Sequence, residues 1–261
     1  MKVIVTGAAS GIGLVIARKF ALEGAQVFVG DINPDALNEA TRGTPTILGG
    51  VADFGDHDQV RNFIAQAVDK LGGIDILVNN VGIAGPTCLT EEGDFDDWDL
   101  TMKINLGSHF YCSREVIPHL KRQRSGLIIN ISSIAGQFGY PFHGPYAVSK
   151  AAVIALTRTL AMELGPYNIR ANTICPMAVD GPRTTSVIET ESRNTGIPLD
   201  IVKQAYMSQN SMRTFIEADE IAALAAYLAS SAGKRISGQV IAVDGNAETL
   251  RPPVGAWERD T

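Results

Sequence analysis

Short apolar runs alternate with amphipathic stretches from one end of the chain to the other, and few folds satisfy that rhythm. Runs at 3–6, 25–30, 46–51, 74–78, 127–131, 169–174 and 239–243 are mostly apolar at successive positions, not at every second one. That is the pattern of strands buried on both faces. Between them, 12–22, 56–71, 95–121, 146–164 and 218–229 show helical spacing. Strand and helix in alternation predict an α/β fold, a doubly wound parallel sheet with helices on both faces. Helix ends agree: Asn33-Pro34 sets a capping residue before a proline at the first helical position. Ala218-Asp219-Glu220 sets acids in a first turn, where the helix dipole favours them. With no linker or repeat, one domain is expected over 1–261. The exception to the rhythm is 177–213, rich in Thr, Ser, Arg and Glu. An insertion so late in such a sheet reads as a lid over a ligand, its body at about 181–213.

Composition narrows the partners. Hydrophobic residues at 45% against 19% charged are enough for a sizeable core. A net charge of -6 without a basic run gives no electrostatic case for nucleic acid. No apolar stretch reaches the roughly 18 residues of a membrane span. The opening MKVIVTGAASGIG breaks into glycine-rich turn chemistry after four apolar residues, so it reads as a buried strand and not a signal peptide. A cytoplasmic protein is expected. Cys88, Cys112 and Cys175 are odd in number and form no CxxC, which favours small buried side chains over disulfides or thiolate ligands. His57, His109, His119 and His143 lack metal-ligand spacing, so no metal is expected. His143, three residues before Tyr146 and beside Tyr140 and Phe142, is the candidate to line a pocket.

TGAASGIG, residues 6–13, follows the first strand and opens the first helix. Gly7 suits a tight turn, Gly11 a close backbone approach to a ligand, and Gly13 close packing of helix on strand. The helix N-terminus then offers amide groups and partial positive charge to a pyrophosphate. Ser10 and Ile12, between these glycines, are assigned to the same dinucleotide site. Asp31 ends the second strand, 18 residues after Gly13, where a carboxylate accepts from adenosine ribose hydroxyls and repels a 2′-phosphate. Asn33 already stands at the cap, which leaves Asp31 for the ribose. No Lys or Arg occurs in 7–13 or 31–41. NAD is therefore the expected cofactor.

Tyr146 and Lys150, four apart in YAVSK, share one helix face. An ammonium there favours the phenolate, and such a tyrosine serves as general acid or base. NISS places Ser132 and Ser133 at the carboxyl end of a buried strand, the edge where open α/β sheets bind ligands.

TGAASGIG, NNVG (79–82), Asn105, Ser133 and YAVSK together, in order and spacing over essentially the whole chain, resemble the short-chain dehydrogenases/reductases. The resemblance implies a single-domain Rossmann fold of about seven strands in the order 3-2-1-4-5-6-7. It also implies a catalytic tetrad of Asn105, Ser133, Tyr146 and Lys150, with Ser133 preferred to Ser132 because it stands thirteen residues before the tyrosine. Tyr146 would carry the proton, Ser133 orient the substrate oxygen, Lys150 act on Tyr146 and the nicotinamide ribose, and Asn105 anchor a water. It assigns Asp53 and Phe54 to the adenine, Asn80 and Gly82 to the adenosine ribose region, and the Val179 backbone to the carboxamide. This chain departs from the family at Val81, where alanine is usual, at Met177, where glycine is usual, and at Gly181, where a nicotinamide-contacting threonine is usual. Thr184 or Thr185 is left to replace that hydroxyl.

The expected function is NAD-dependent interconversion of a small polar secondary alcohol (sugar, polyol or hydroxy acid) and its ketone. Arg183 and Arg193 in the lid, with Ser133 and His143, are the substrate candidates. The alternatives are an NADPH-dependent 3-oxoacyl thioester reductase and a dinucleotide-sensing regulator. A homotetramer is expected from the resemblance. Contact with a partner is also expected from helices 95–121 and 146–164, which carry apolar residues on more than one face: Phe110, Tyr111, Val116 and Ile117 on one, Ile154, Leu156 and Leu160 on the other.

Overall fold

The computed structural model describes residues 1–250; positions 251–261 of the expected domain lie outside the described residues. Seven parallel strands form one sheet: β1 (Lys2–Thr6), β2 (Gln26–Asp31), β3 (Ile47–Val51), β4 (Ile76–Asn79), β5 (Gly126–Ile131), β6 (Ile169–Pro176) and β7 (Val240–Val243). Their order is β3-β2-β1-β4-β5-β6-β7. Alternation along β1 divides the core between the two faces. Val3 and Val5 pack with Ile16 and Phe20 of α1 (Gly11–Leu22) and with Ile221 and Leu228. Ile4, on the other face, packs with Phe63 and Ile64, Val116 and Leu120, and Leu160 and Leu164. A strand covered on both sides favours apolar residues at successive positions, hence the near-continuous apolar runs; the buried Asn79 and Asn130 are hydrogen-bonded to each other.

The connecting helices are α2 (Pro34–Thr41), α3 (His57–Leu71), α4 (Phe95–Met102), α5 (Ser108–Gln123), α6 (Gly144–Leu164), α7 (Pro182–Thr195), α8 (Leu199–Met207) and α9 (Ala218–Ala229). Asn33 caps α2, its Oδ1 accepting from the amides of Asp35 and Ala36. Two expectations change. The helix expected over 95–121 is two helices joined by a π-helical turn, Lys103–Gly107. The stretch 177–213, set apart as a break in the rhythm with no helix assigned, holds α7 and α8. Their inward faces are short: among the described side chains, Ile188 and Glu191 on α7 and Val202 on α8 are the buried positions. So few apolar residues leave only a weak helical signal.

Because the strands are parallel, their carboxyl ends share one edge of the sheet. The order reverses between β1 and β4, which opens a crevice at that edge. No helix among the described residues is long and apolar enough to cross a membrane.

Candidate active site

The glycine loop, Asp31, Asp53, Asn80, Gly82 and Ser133 stand at or just past strand carboxyl ends, while Asn105 sits between α4 and α5, and Tyr146 and Lys150 on α6. After β1, Gly7 and Gly11 take left-handed backbone (φ 61° and 54°), which a side chain would strain. A Cβ on Gly13 would run into the Gly7 carbonyl and the Asn80 side chain. A Cβ on Gly11 would meet nothing within 4 Å, so its side faces open space. Ser10, at the helix cap, makes no side-chain bond to the first-turn amides of α1. The first turn of α1 is thus left without a side-chain cap beside the open space at Gly11, a cradle suited to a pyrophosphate.

Asp31 is not left free by the Asn33 cap, as the sequence implied. Its Oδ2 accepts from the Ala9 amide and its Oδ1 from the Asn33 amide, both at 3.1 Å. The glycine loop thus fixes the carboxylate at the end of β2, and two carboxylate oxygens retain lone pairs for a ligand. Asn80 staples the loop: its Nδ2 donates to Thr6 O and Gly7 O at 3.2 and 2.8 Å. Asp53 Oδ1 accepts from the Gly55 amide at 2.8 Å. The Phe54 ring belongs to the core, packed edge-on against Phe63. The assignments of Asn80 and Phe54 to the adenosine can thus involve their backbones, since the side chains are committed elsewhere.

The second group gathers at β4, β5 and α6. Lys150 is buried, and its ammonium donates to Ile131 O at 3.1 Å. It lies 5.8 Å from the centroid of the half-buried Tyr146 ring. Burial, and then the charge of Arg183, push its pKa down to about 8. Gly82 is required beside it: a Cβ there would stand 3.1 Å from Lys150 Nζ and 3.4 Å from Asn105 Oδ1. Asn105 sits in the π-helical turn, fully buried. Its Oδ1 accepts from the Ile83 amide at 2.7 Å, and its Nδ2 donates to Ile83 O and Ser149 Oγ. It thereby ties the loop after β4 to α6. The two serines separate cleanly: Ser132 is buried and its hydroxyl donates to Lys150 O at 2.8 Å. Ser133 is half-buried at the start of a short 3₁₀ turn, its Oγ accepting from the Ala135 amide.

Thr184, and not Thr185, turns back toward the strand end: its hydroxyl donates to Val179 O at 2.5 Å. Arg183 is exposed at the start of α7, within electrostatic reach of Lys150. Arg193 is exposed two positions on from the inward Glu191, hence on the opposite side of the helix. His143 stacks on Tyr140, ring centroids 4.2 Å apart, in the loop leading to Tyr146. His57 falls with Asp56 and Asp58 in an exposed or half-exposed group whose ligand atoms lie within 4.8 Å of one another; Asp56 there caps α3.

Two features escaped the sequence. His109, on α5, is fully buried behind this site, its Nε2 3.3 Å from Val81 O. A carbonyl only accepts, so the proton sits on Nε2, and Nδ1 has no partner among the described residues. On α7, Thr184, Ile188 and Glu191 recur at helical spacing and turn inward. That spacing was readable, but it placed a carboxylate on an inward face and so looked like a broken pattern.

The family model described as enoyl-(acyl carrier protein) reductase matches residues 7–246. A 3-oxoacyl-(acyl-carrier-protein) reductase of Thermotoga maritima is 36% identical over 93% of this chain and 95% of its own. The chain is a short-chain dehydrogenase/reductase. Among solved structures, a xylitol dehydrogenase bound to NAD+ superposes with a TM-score of 0.89 at 29% identity, covering 94% of this chain and 97% of that one. An actinorhodin polyketide ketoreductase with NADPH gives 0.89 at 28%, covering 93% and 95%. This short-chain dehydrogenase/reductase is accordingly a nicotinamide-dinucleotide-dependent oxidoreductase acting on CH–OH groups, and the regulator alternative falls away.

Proposed function

We propose that this short-chain dehydrogenase/reductase uses NAD to interconvert a small polar secondary alcohol and its ketone, with Tyr146 as general acid and base. The observation that carries this is the convergence of Tyr146, Ser133, a buried Lys150 and Asn105 at one strand edge, with Gly82 bare to admit the lysine. When bound, the nicotinamide supplies the hydride acceptor or donor. In oxidation the Tyr146 oxygen takes the hydroxyl proton, and Ser133 Oγ holds the substrate oxygen beside it. The Lys150 ammonium favours negative charge on the tyrosine, and Asn105 fixes the loop that carries Gly82 against it. Thr184, tied to Val179 O, brings a hydroxyl to the carboxamide side in place of Gly181. Helices α7 and α8 form the lid.

NAD is favoured over NADP because the Asp31 carboxylate is held at the ribose position by two backbone amides, with no basic residue in 7–13 or 31–41 to receive a 2′-phosphate. The relationship to a 3-oxoacyl reductase supports a second reading, NADPH-dependent reduction of a 3-oxoacyl thioester. An NAD(P)H fluorescence assay against alcohols, ketones and acetoacetyl thioester separates the two. The expected result is higher kcat/KM with NADH than with NADPH. Tyr146→Phe is expected to lose roughly 10² to 10⁴ in turnover while binding NADH as the wild type does. A variant within a few-fold of wild type would sink the mechanism, and an NADPH preference would sink the cofactor assignment.

A further inference from the structure

The segment after β4, Asn80 to Ile83, is the seam between the glycine loop and the reacting groups, and each of its residues is held by a different contact. Asn80 reaches back to the glycine loop, its Nδ2 donating to Thr6 O and Gly7 O. Val81 lies against the same loop: a Cβ on Gly7 would stand 3.2 Å from both Val81 Cα and Val81 Cγ2. Gly82 abuts the Lys150 ammonium, where a Cβ would stand 3.1 Å from Nζ. Ile83 is bonded through its amide and its carbonyl to Asn105. The Val81 carbonyl is met by His109 Nε2 of α5, at 3.3 Å.

His109 is fully buried, out of reach of solvent. Burial, and then the charge of Lys150, hold its pKa well down, so the ring is neutral at pH 7. A neutral imidazole carries one proton, and with a carbonyl opposite Nε2 that proton is the one donated. The main-chain carbonyl of His109 lies 3.4 Å from Asn79 Nδ2, at the end of β4. The residue thus meets the strand end through its backbone and the loop after it through its ring. Its Nδ1 has no partner among the described residues. A buried acceptor left unmatched costs stability. An apolar side chain would avoid that cost, but it could not donate to Val81.

We propose that His109 is a positioning residue for hydride transfer, fixing the Val81–Gly82 backbone between the glycine loop and Lys150 through its bond to the Val81 carbonyl. This rests on the reading of the glycine loop and Lys150 as the working parts of the site. Without the bond, the Val81 carbonyl must turn to water, and the seam moves with it. Val81 and Gly82 stand in van der Waals contact with the parts on either side, so both are displaced. A misplacement of about 1 Å at the reacting groups costs roughly 10²-fold in rate.

The test exploits reach. A glutamine amide extends about as far as Nε2, whereas asparagine is one methylene too short to donate to Val81. Wild type, His109→Gln and His109→Asn are compared for thermal midpoint, for NADH affinity by fluorescence (NADPH should the cofactor assignment fail), and for kcat and KM with the alcohol turned over best in the assay above. His109→Asn should lose roughly ten- to a hundredfold in kcat and bind the dinucleotide several-fold more weakly, with KM for the alcohol within a few-fold. His109→Gln should restore both kcat and dinucleotide affinity. Two folded variants that keep wild-type kcat and dinucleotide affinity, whatever their midpoints, overturn the proposal, as does a folded His109→Gln as impaired as His109→Asn. Should His109→Asn not fold, wild type labelled with 15N-histidine decides. The His109 proton should sit on Nε2, and its resonance should move on adding the dinucleotide. A proton on Nδ1, or a resonance that stays in place, overturns the proposal. Neither the affinity nor the resonance involves proton transfer at Tyr146. A Tyr146→Phe variant as active as wild type therefore takes down the acid–base reading and leaves these two measurements to judge His109.

Discussion

His109 is the buried residue whose proton the fold most strongly refuses. Burial, and then the positive charge of Lys150, push its pKa down to about 3, against the weaker opposing effect of the Val81 carbonyl. Its unfolded value is near 6.5. Between those values the unfolded chain binds a proton that the folded one does not. Stability is therefore complete above pH 6.5 and is lost as pH falls toward 3, by roughly 1.4 kcal/mol per pH unit. Urea unfolding at pH 7 and pH 5 should show a large drop in midpoint for wild type and a smaller one for His109→Gln. Equal drops would show that the histidine contributes nothing to the acid lability. Nothing in the sequence marks His109, because Val81 and Lys150 arrive from the loop after β4 and from α6. Ser132 and Ser133, by contrast, are distinguished by the family resemblance, whose serine stands thirteen residues before the tyrosine. Asp31 was singled out by position, yet its contact with the Ala9 amide comes from the folded glycine loop.

At the scale of elements, α7 and α8 are held by a few inward residues: Ile188, Glu191 and Val202 are buried, while Val187, Leu199 and Ile201 are 40%, 48% and 45% exposed. Such a helix pair opens at low cost. Amides over 182–207 should exchange quickly in the free protein and slow on adding NAD plus substrate, while β6 and α9 stay slow throughout. Hydrogen-exchange mass spectrometry checks this; slow exchange in the free protein, unchanged by ligands, would rule out a lid. The π-helical turn between α4 and α5 was equally hidden. Its sequence, KINLG, continues the helical spacing on both sides. The extra residue in the turn is accommodated by Asn105 bonding to the loop after β4 and to Ser149, a requirement of tertiary contact.

At the scale of the molecule, the helices α4, α5 and α6 retain apolar residues that this chain does not cover. Phe95 is 87% exposed, Phe110 50%, Met162 80% and Trp98 40%. Several residues expected to form that surplus are instead core: Val116, Ile154 and Leu160 are buried within the chain. We propose that the remainder meets other copies in a homotetramer. Light scattering at micromolar concentration should give about four times the 27.8 kDa chain mass. Phe110→Glu with Met162→Glu should lower it, and a monomer peak from wild type would dispose of the assembly.

What the sequence by itself determined is local. Period and apolar content specify strand or helix, and glycines and caps specify where each begins. Tyr146 and Lys150 meet because they sit four apart on one helix. Parallel order then sends every strand end to one edge, so residues as far apart as Gly7, Asp31, Gly82 and Ser133 converge without any pairwise signal. What only tertiary structure decided are the contacts between separate segments: Gly82 against Lys150, Asp31 against Ala9, Asn105 against Ile83 and Ser149, and Glu191 with Tyr206. Periodicity records which face of an element is buried. It does not record what stands opposite, and the chemistry of this site depends on what stands opposite.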